Sequence, residues 1–141
     1  MLRLPNNVLQ KALIKLLKEK INPLIGVHDF VPANARIPYI TIGNIVTHDT
    51  STKTEDNTRL EIQINIWSTY KGKYEINRIA ENIINLLTSE EGYLNVEDSG
   101  FKVYEQTINM YEAFPEDNTG YNGVINLEVK VKNLRATAED I

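Results

Sequence analysis

Apolar residues near the start of the chain recur at the spacing of one helical face. Between residues 7 and 21 these are Leu9, Ala12, Leu13, Leu16, Leu17 and Ile21. Lysines occupy most of the opposite positions, so the pattern predicts an amphipathic helix. Asn6 or Asn7 is expected to cap its start, and Asn22-Pro23 to end it.

The next segment predicts two strands separated by a polar loop. The stretch GVHDFVPANARIPY is expected to be a short extended piece and a turn, because a proline keeps its predecessor extended. From Pro38 to about Thr47, apolar residues then alternate with others, and we place Val46 on the apolar side. After the loop, apolar residues at 60, 62, 64 and 66 alternate strictly with polar ones. Such alternation is typical of strands with one buried and one polar face.

The helical period returns in residues 71–87, where an isoleucine stripe should pack on the apolar face of the preceding strand. Gly72 is the expected N-cap of this second helix. Residues 89–100 form a predicted loop with a short strand at 93–96.

The last third of the chain predicts a second hairpin. Residues 101–114 form its first strand, in which the apolar phase changes from odd to even positions. An inserted residue produces such a change, so we expect a β-bulge between Tyr104 and Thr107. A strand from Val124 to Val131 follows a tip rich in turn residues.

The order of elements is therefore α-β-β-α-β-β. We predict an α+β fold, in which two long hairpins form an antiparallel sheet and both helices pack on one face. Residues 1–132 form a single domain, and residues 133–141 are expected to be a flexible C-terminal tail because they contain few apolar residues.

Composition narrows the function classes. The chain has 141 residues, 42% of them apolar, with a net charge of −4 and no cysteine. A negative net charge does not favour binding to the phosphate backbone of a nucleic acid. No apolar run reaches the roughly 18 residues of a membrane span, and the N-terminus lacks the pattern of a signal peptide. We therefore expect a cytosolic location and no membrane partner.

Candidate chemistry is sparse. His28-Asp29 and His48-Asp49 would form a metal site only if the fold brought them together. Four pairs of carboxylates stand in predicted loops: Glu55-Asp56, Glu90-Glu91, Glu97-Asp98 and Glu116-Asp117. General acid–base catalysis needs a shielded carboxyl group, which loop tips do not provide. We predict no catalytic residue, no cofactor and no metal site, and hence no enzyme.

Three aromatic residues have two open interpretations. Trp67 falls on the polar face of its strand, where it either folds over the sheet edge to close the core or anchors a protein contact. Tyr111 and Tyr121 flank the second hairpin tip and carry the same alternatives.

Between residues 8 and 88, the stretches GVHDFVPANARIPYITIG, THDTSTK and LEIQINIWS occur in this order, and a helix follows them. In this order they resemble the tail-completion or tail-terminator family of long-tailed bacteriophages. The matching residues are Asp29, Pro32, Pro38, Tyr39, Ile40, Gly43, Asp49, Ser51, Thr52, Lys53, Trp67 and Ser68. His28 stands where an aromatic residue is common in the family.

The resemblance implies a structural role in the virion. Such proteins form a hexameric ring on the last ring of the tail tube, end tube growth and bind the head-side connector or stopper. Genomic DNA then passes through the lumen without specific binding. The implied location is the neck at the top of the tail, after assembly in the host cytoplasm.

The expected contact residues lie mainly at the two hairpin tips, residues 49–57 and 115–123. They are Asp49, Ser51, Thr52, Lys53, Glu55, Asp56, Trp67, Tyr111, Glu116, Asp117 and Tyr121. Three alternatives remain: another neck component such as a head-closure or stopper protein, a small-ligand-binding α+β regulatory domain, and an enzyme that uses the two His-Asp pairs.

Overall fold

Five strands and two α-helices make up the fold of the computed structural model, which describes residues 3–69, 72–116 and 120–134. The helices are α1 (Asn6–Lys20) and α2 (Tyr74–Leu87). The strands are β1 (Gly26–His28), β2 (Tyr39–Asp49), β3 (Asn57–Ser68), β4 (Phe101–Glu116) and β5 (Gly120–Asn133). Two short 3-10 turns, Glu90–Gly92 and Glu97–Ser99, lie between α2 and β4.

The strands form one sheet in the order β1-β2-β3-β5-β4. β2 and β3 form the first predicted hairpin and β4 and β5 the second, and antiparallel pairing of β3 with β5 joins them. The predicted α+β class is confirmed. The extended piece at Gly26–His28 adds a fifth strand that pairs parallel to β2, so the order is α-β-β-β-α-β-β.

Both helices pack on the same face of the sheet, as predicted. α1 buries Leu9, Leu13 and Leu17, and α2 buries Ile76, Ile79 and Ile83. The strictly alternating residues of β3 lie beneath them and are fully buried: Leu60, Ile62, Ile64 and Ile66. Each such side chain stabilises the fold by about 1.5–3 kcal/mol relative to an exposed one.

The predicted helix caps are wrong. α1 begins directly after Pro5, and within the described residues no side chain caps it. Asn6 instead accepts a hydrogen bond from the Thr47 hydroxyl, 3.0 Å away at the end of β2. At α2 the N-cap is Lys73, and Gly72 stands just before it with a φ of +88°. The N-termini of both helices are therefore not set by the capping preference of single residues. The contact between Asn6 and Thr47 and the backbone conformation of Gly72 determine the roles of these two residues instead.

A bulge that the alternation did not indicate interrupts β2. Its register with β3 shifts between Ile42 and Ile45, so one extra residue reverses the faces beyond that point. Ile45 packs against the core, and Val46 is 49% exposed on the opposite face. The predicted apolar position of Val46 is therefore wrong.

The other edge of the sheet contains two bulges. The first lies between Val103 and Glu105, at the start of the predicted interval. The second, between Ile108 and Met110, was not predicted. It reverses the faces once more, so Tyr111 packs against the core and Met110 is 42% exposed.

The loop from residue 89 to residue 100 buries two apolar side chains without being a strand. Residues 93–96 are irregular, contrary to the predicted short strand, although Leu94 and Val96 are buried. The Gln106 amide nitrogen donates to the carbonyls of Leu87 and Gly92 at 2.9 and 2.8 Å. Its oxygen accepts from the Leu94 amide at 3.1 Å. One side chain therefore bonds three backbone groups of this loop region.

The end of β5 is bonded to the rest of the fold through residue 134. The amide of Asn133 donates to the Asp56 carbonyl at 2.8 Å, and that of Leu134 to the Gly100 carbonyl at 2.9 Å. Residues 135–141, most of the predicted tail, lie outside the described residues. In the part of the chain that the structure describes, neither helix has the length and apolar character needed to cross a membrane.

Candidate assembly interface

The two hairpin tips lie at opposite ends of the sheet. Asn57 pairs with Lys132 at one end of β3, and Ser68 pairs with Tyr121 at the other. A strand of this length, 12 residues, separates the two ends by about 37 Å. We call the end with residues 50–56 the polar end, and the end with Trp67 and Tyr121 the aromatic end.

The predicted contact residues divide between these ends. The polar end carries Asp49, Ser51, Thr52, Lys53, Glu55 and Asp56, and the aromatic end carries Trp67, Glu116 and Tyr121. Tyr111 lies a few residues from the aromatic end. Asp117 lies outside the described residues.

Hydrogen bonds within the loop define the shape of the polar end. The Ser51 amide donates to Asp49 Oδ1 at 2.9 Å. The Ser51 hydroxyl accepts from the Asn57 amide at 3.0 Å, and the Glu55 amide donates to Thr52 Oγ1 at 3.2 Å. These local side-chain bonds give an exposed polar loop a specific conformation.

An ion pair also links this loop to β5. Lys132 Nζ lies 3.2 Å from Glu55 Oε1. A hydrogen bond from Lys132 and a second from Asn57 hold the pKa of Glu55 below its ordinary value. Hydrogen bonds from the Ser51 side chain and amide lower the pKa of Asp49 in the same way. Asp49 and Glu55 are therefore ionised at neutral pH.

Trp67 lies on the face of the sheet opposite the helices. Ile64 and Ile66 of the same strand point into the core, so Trp67 points to the other face. Its indole N–H donates to Thr41 Oγ1 at 3.1 Å. This position excludes the interpretation that Trp67 closes the core beneath α2. We call this side of the sheet the open face.

A row of side chains crosses the open face at the aromatic end. Tyr39 pairs with Trp67, Trp67 with Asn122, and Asn122 with Phe114. Three aromatic rings from three strands thus share one side of the sheet. Neither Tyr39 nor Phe114 was among the predicted contact residues. The PYI stretch of the family pattern could have indicated Tyr39. Phe114 could not be assigned to the open face from the sequence, because the bulge before Met110 was not predicted.

The two predicted tyrosines have another orientation. Tyr111 packs against the core, and its hydroxyl donates to Asn77 Oδ1 of α2 at 2.8 Å. Burial raises the pKa of Tyr111. Tyr121 is also packed against the core. Both residues therefore help to hold the helical layer, and Trp67 is the predicted aromatic residue on the open face.

Contacts between polar and charged side chains cover the open face toward the polar end. His48 Nε2 lies 2.9 Å from Glu61 Oε2, Arg59 lies 3.2 Å from Glu128, and Lys130 lies 2.9 Å from Glu105. Exposed pairs of this kind contribute at most about 1 kcal/mol each. The open face is thus divided into an aromatic part and a charged part.

The two His-Asp pairs do not converge. His28 pairs with Thr41 near the start of β2, and its ring contacts Tyr39 with centroids 5.8 Å apart. His48 lies seven residues beyond Thr41, or roughly 20 Å along the strand. Within residues 3–69, 72–116 and 120–134, no three histidine or carboxylate side chains form a group that could hold a metal ion.

Comparisons with known proteins agree with this architecture. A chain of the virion of a native gene transfer agent particle matches with a TM-score of 0.75 and 17% identity, over 89% of this chain and 95% of that one. This likeness establishes a shared fold. No curated protein sequence matches the chain significantly.

The family model described as "Tail completion protein gp17" matches residues 11–131. That match includes every helix and strand except the first residues of α1 and the last two of β5. The resemblance found in the sequence is confirmed: the chain belongs to the tail completion protein family and is a structural protein of a phage tail.

Proposed function

We propose that the chain is a tail terminator. In this role it forms a hexameric ring, as the family resemblance implies, on the head-proximal end of the tail tube. The ring ends tube polymerisation and presents its other side to the head-side connector. Its place in the virion is the neck, and it is assembled in the host cytoplasm.

The observation that supports this proposal is the separation of two chemically different ends. A component that joins two structures needs a binding surface at each end and a rigid body between them. Four strands with long antiparallel registers provide the body. The polar end offers an ordered loop with ionised carboxylates, and the aromatic end offers Trp67 and Phe114. Aromatic side chains are enriched in protein contacts.

The acidic balance of the chain suits a ring through which DNA passes. A net charge of −4 provides little counterion release on contact with phosphates. We therefore expect the purified ring to show no retention of double-stranded DNA at physiological salt. Tight, salt-sensitive binding would contradict a passive lumen.

The direct experiment is electron microscopy of purified tail tubes mixed with this protein. A terminator caps one end of each tube and stops its extension when tube protein is added. Bare tubes that continue to grow would contradict the proposal. A protein that instead binds isolated connectors and ignores tubes would be a head-closure or stopper protein.

A loop variant tests the contribution of the polar end. Thr50 donates to the Asn57 carbonyl at 3.0 Å, so these residues can flank a short turn. Replacing residues 51–56 with Asn-Gly, which favours a two-residue hairpin turn, should preserve the fold. We expect this variant to melt cooperatively and to fail in joining tails to heads. A loop of equal length made of Gly and Ser is the matched control for loss of specific side chains.

A further inference from the structure

The edge of the sheet at β1 exposes two large apolar side chains. Leu24 is 87% exposed and Phe30 is 88% exposed, more than any other large apolar residue among those described. Phe30 lies just after β1, in the segment that returns to β2. Burying this phenyl ring against another surface would be favourable, so Phe30 is available as an apolar anchor for a contact.

The opposite edge of the sheet contains a cavity. It has a volume of about 280 Å³ and lies between the loop after α2 and the start of β4. Its apolar walls include Leu94, Val96 and Val103, with the half-exposed rings of Tyr93 and Tyr104 beside them. The Tyr93 hydroxyl donates to the Val103 carbonyl, which ties the loop to the strand. Asn95, Glu97 and Lys102 complete the lining, and a volume above the about 150 Å³ that holds benzene leaves room for a phenyl ring.

The charges beside these two features are complementary. α1 packs on β1 and β2 and exposes Lys11, Lys15, Lys18 and Lys20, while Arg36 is exposed in the segment after Phe30. The loop beside the cavity exposes Glu90, Glu91, Glu97 and Asp98. Glu19 and Asp29 are also exposed on the first side and Lys102 on the second, so the first side is net basic and the second net acidic. Such a pair of surfaces favours one orientation of approach.

We propose that a second copy of this chain inserts its Phe30 into the cavity beside β4, with its lysine-bearing α1 facing the acidic loop of its neighbour. This inference rests on the proposed ring and names the contact that builds it. The two surfaces lie on opposite edges of a five-stranded sheet, about 19 Å apart across the strands. A contact between two different surfaces repeats from copy to copy and forms a ring when the rotation closes.

The chain contains no cysteine, so engineered thiols test this contact directly. Ala33→Cys in one preparation and Glu105→Cys in another, both exposed positions close to Phe30 and to the cavity, should yield a covalent dimer when mixed with a short bismaleimide. The double variant should yield a ladder that ends at the number of copies in the ring. The control pairs Ala33→Cys with Val46→Cys, which is exposed on the open face. Equal cross-linking by the control would overturn the proposal.

Charge exchange provides an independent test. Lys15→Glu with Lys18→Glu should raise the concentration needed for ring formation by about tenfold, because the basic surface is lost. Adding Glu97→Lys and Asp98→Lys to the same chain should restore assembly. No restoration would count against this orientation of the copies.

The two proposals fail in distinguishable ways. Rings on tube ends without the cross-link between positions 33 and 105 would overturn this contact and leave the terminator role intact. Cross-linking of these positions to tube or connector protein would assign the surfaces to another partner and overturn the contact between copies. Absence of rings both in solution and on tubes would overturn both proposals.

Discussion

The Trp67 indole nitrogen lies 3.1 Å from Thr41 Oγ1, and this hydrogen bond joins β3 to β2 on the open face. It orients a large aromatic ring outside the core, in a row with Tyr39 and Phe114. The bond holds the indole in one orientation before any partner arrives. Preorganisation of this kind lowers the cost of forming a contact.

Trp67→Ala should therefore impair assembly far more than stability. We expect a loss of about 1–2 kcal/mol in the free energy of unfolding, from one hydrogen bond and half-buried ring surface. Tail joining should fall at least tenfold in a reconstitution assay. Thr41→Val is the matched control, since it removes the acceptor and keeps the ring. Equal loss of joining in both variants would show that ring orientation matters more than ring contact.

Stability should fall in acid because of the polar end. The pKa values of Asp49 and Glu55 are lowered by their partners, from ordinary values of 3.8 and 4.5. A lowered pKa means that the stabilisation is complete above the ordinary value and is lost as pH falls through the folded-state value. We expect the melting temperature to decline as pH falls below about 4.5.

Neutral variants separate this contribution from other carboxylates. Asp49→Asn and Glu55→Gln should each flatten the decline, and Lys132→Met should bring the pKa of Glu55 closer to its ordinary value. Nuclear magnetic resonance titration measures that pKa directly. An unchanged pKa in Lys132→Met would contradict the ion pair observed at 3.2 Å.

Gln106 should be the most sensitive polar residue of the β4 region. Gln106→Leu would leave the Leu94 amide and the carbonyls of Leu87 and Gly92 without their partner. Unpaired groups in a partly buried site predict a loss of about 2–3 kcal/mol. Gln63→Leu, which removes a single bond to Asn65 on the open face, should cost under about 1 kcal/mol. Urea denaturation measures both.

Two glycines with positive φ provide a paired test of the aromatic end. Gly72 has a φ of +88° with open space around an added Cβ, whereas at Gly120, with a φ of +131°, that atom would stand 2.0 Å from the Ser68 carbonyl oxygen. Gly72→Ala should cost about 1 kcal/mol through backbone strain alone. Gly120→Ala should cost at least about 2 kcal/mol more, because the end of β3 must move. Similar losses in the two variants would contradict the close approach.

Much of the local structure follows from the sequence alone. The period of α1, the isoleucine stripe of α2 and the strict alternation of β3 each determine an element, because a repeat of 3.6 or 2 residues buries one face only in the matching conformation. The same patterns determine the α+β class and the helices on one face. The family was identifiable from the order of short stretches between residues 8 and 88.

Only the tertiary structure decided on which face of the sheet each residue lies and how far apart the two hairpin tips are. Single extra residues after Ile42 and Ile108 reverse all later positions of a strand. The apolar residues Val46 and Met110 continue the earlier alternation past each insertion, so the pattern did not locate these two bulges. The pairing of β3 with β5 joins residues far apart in the chain, and it alone places the two tips at opposite ends. The sequence therefore determined which elements form, since that depends on neighbours along the chain. The packed sheet determined which residues meet, since that depends on register between distant strands.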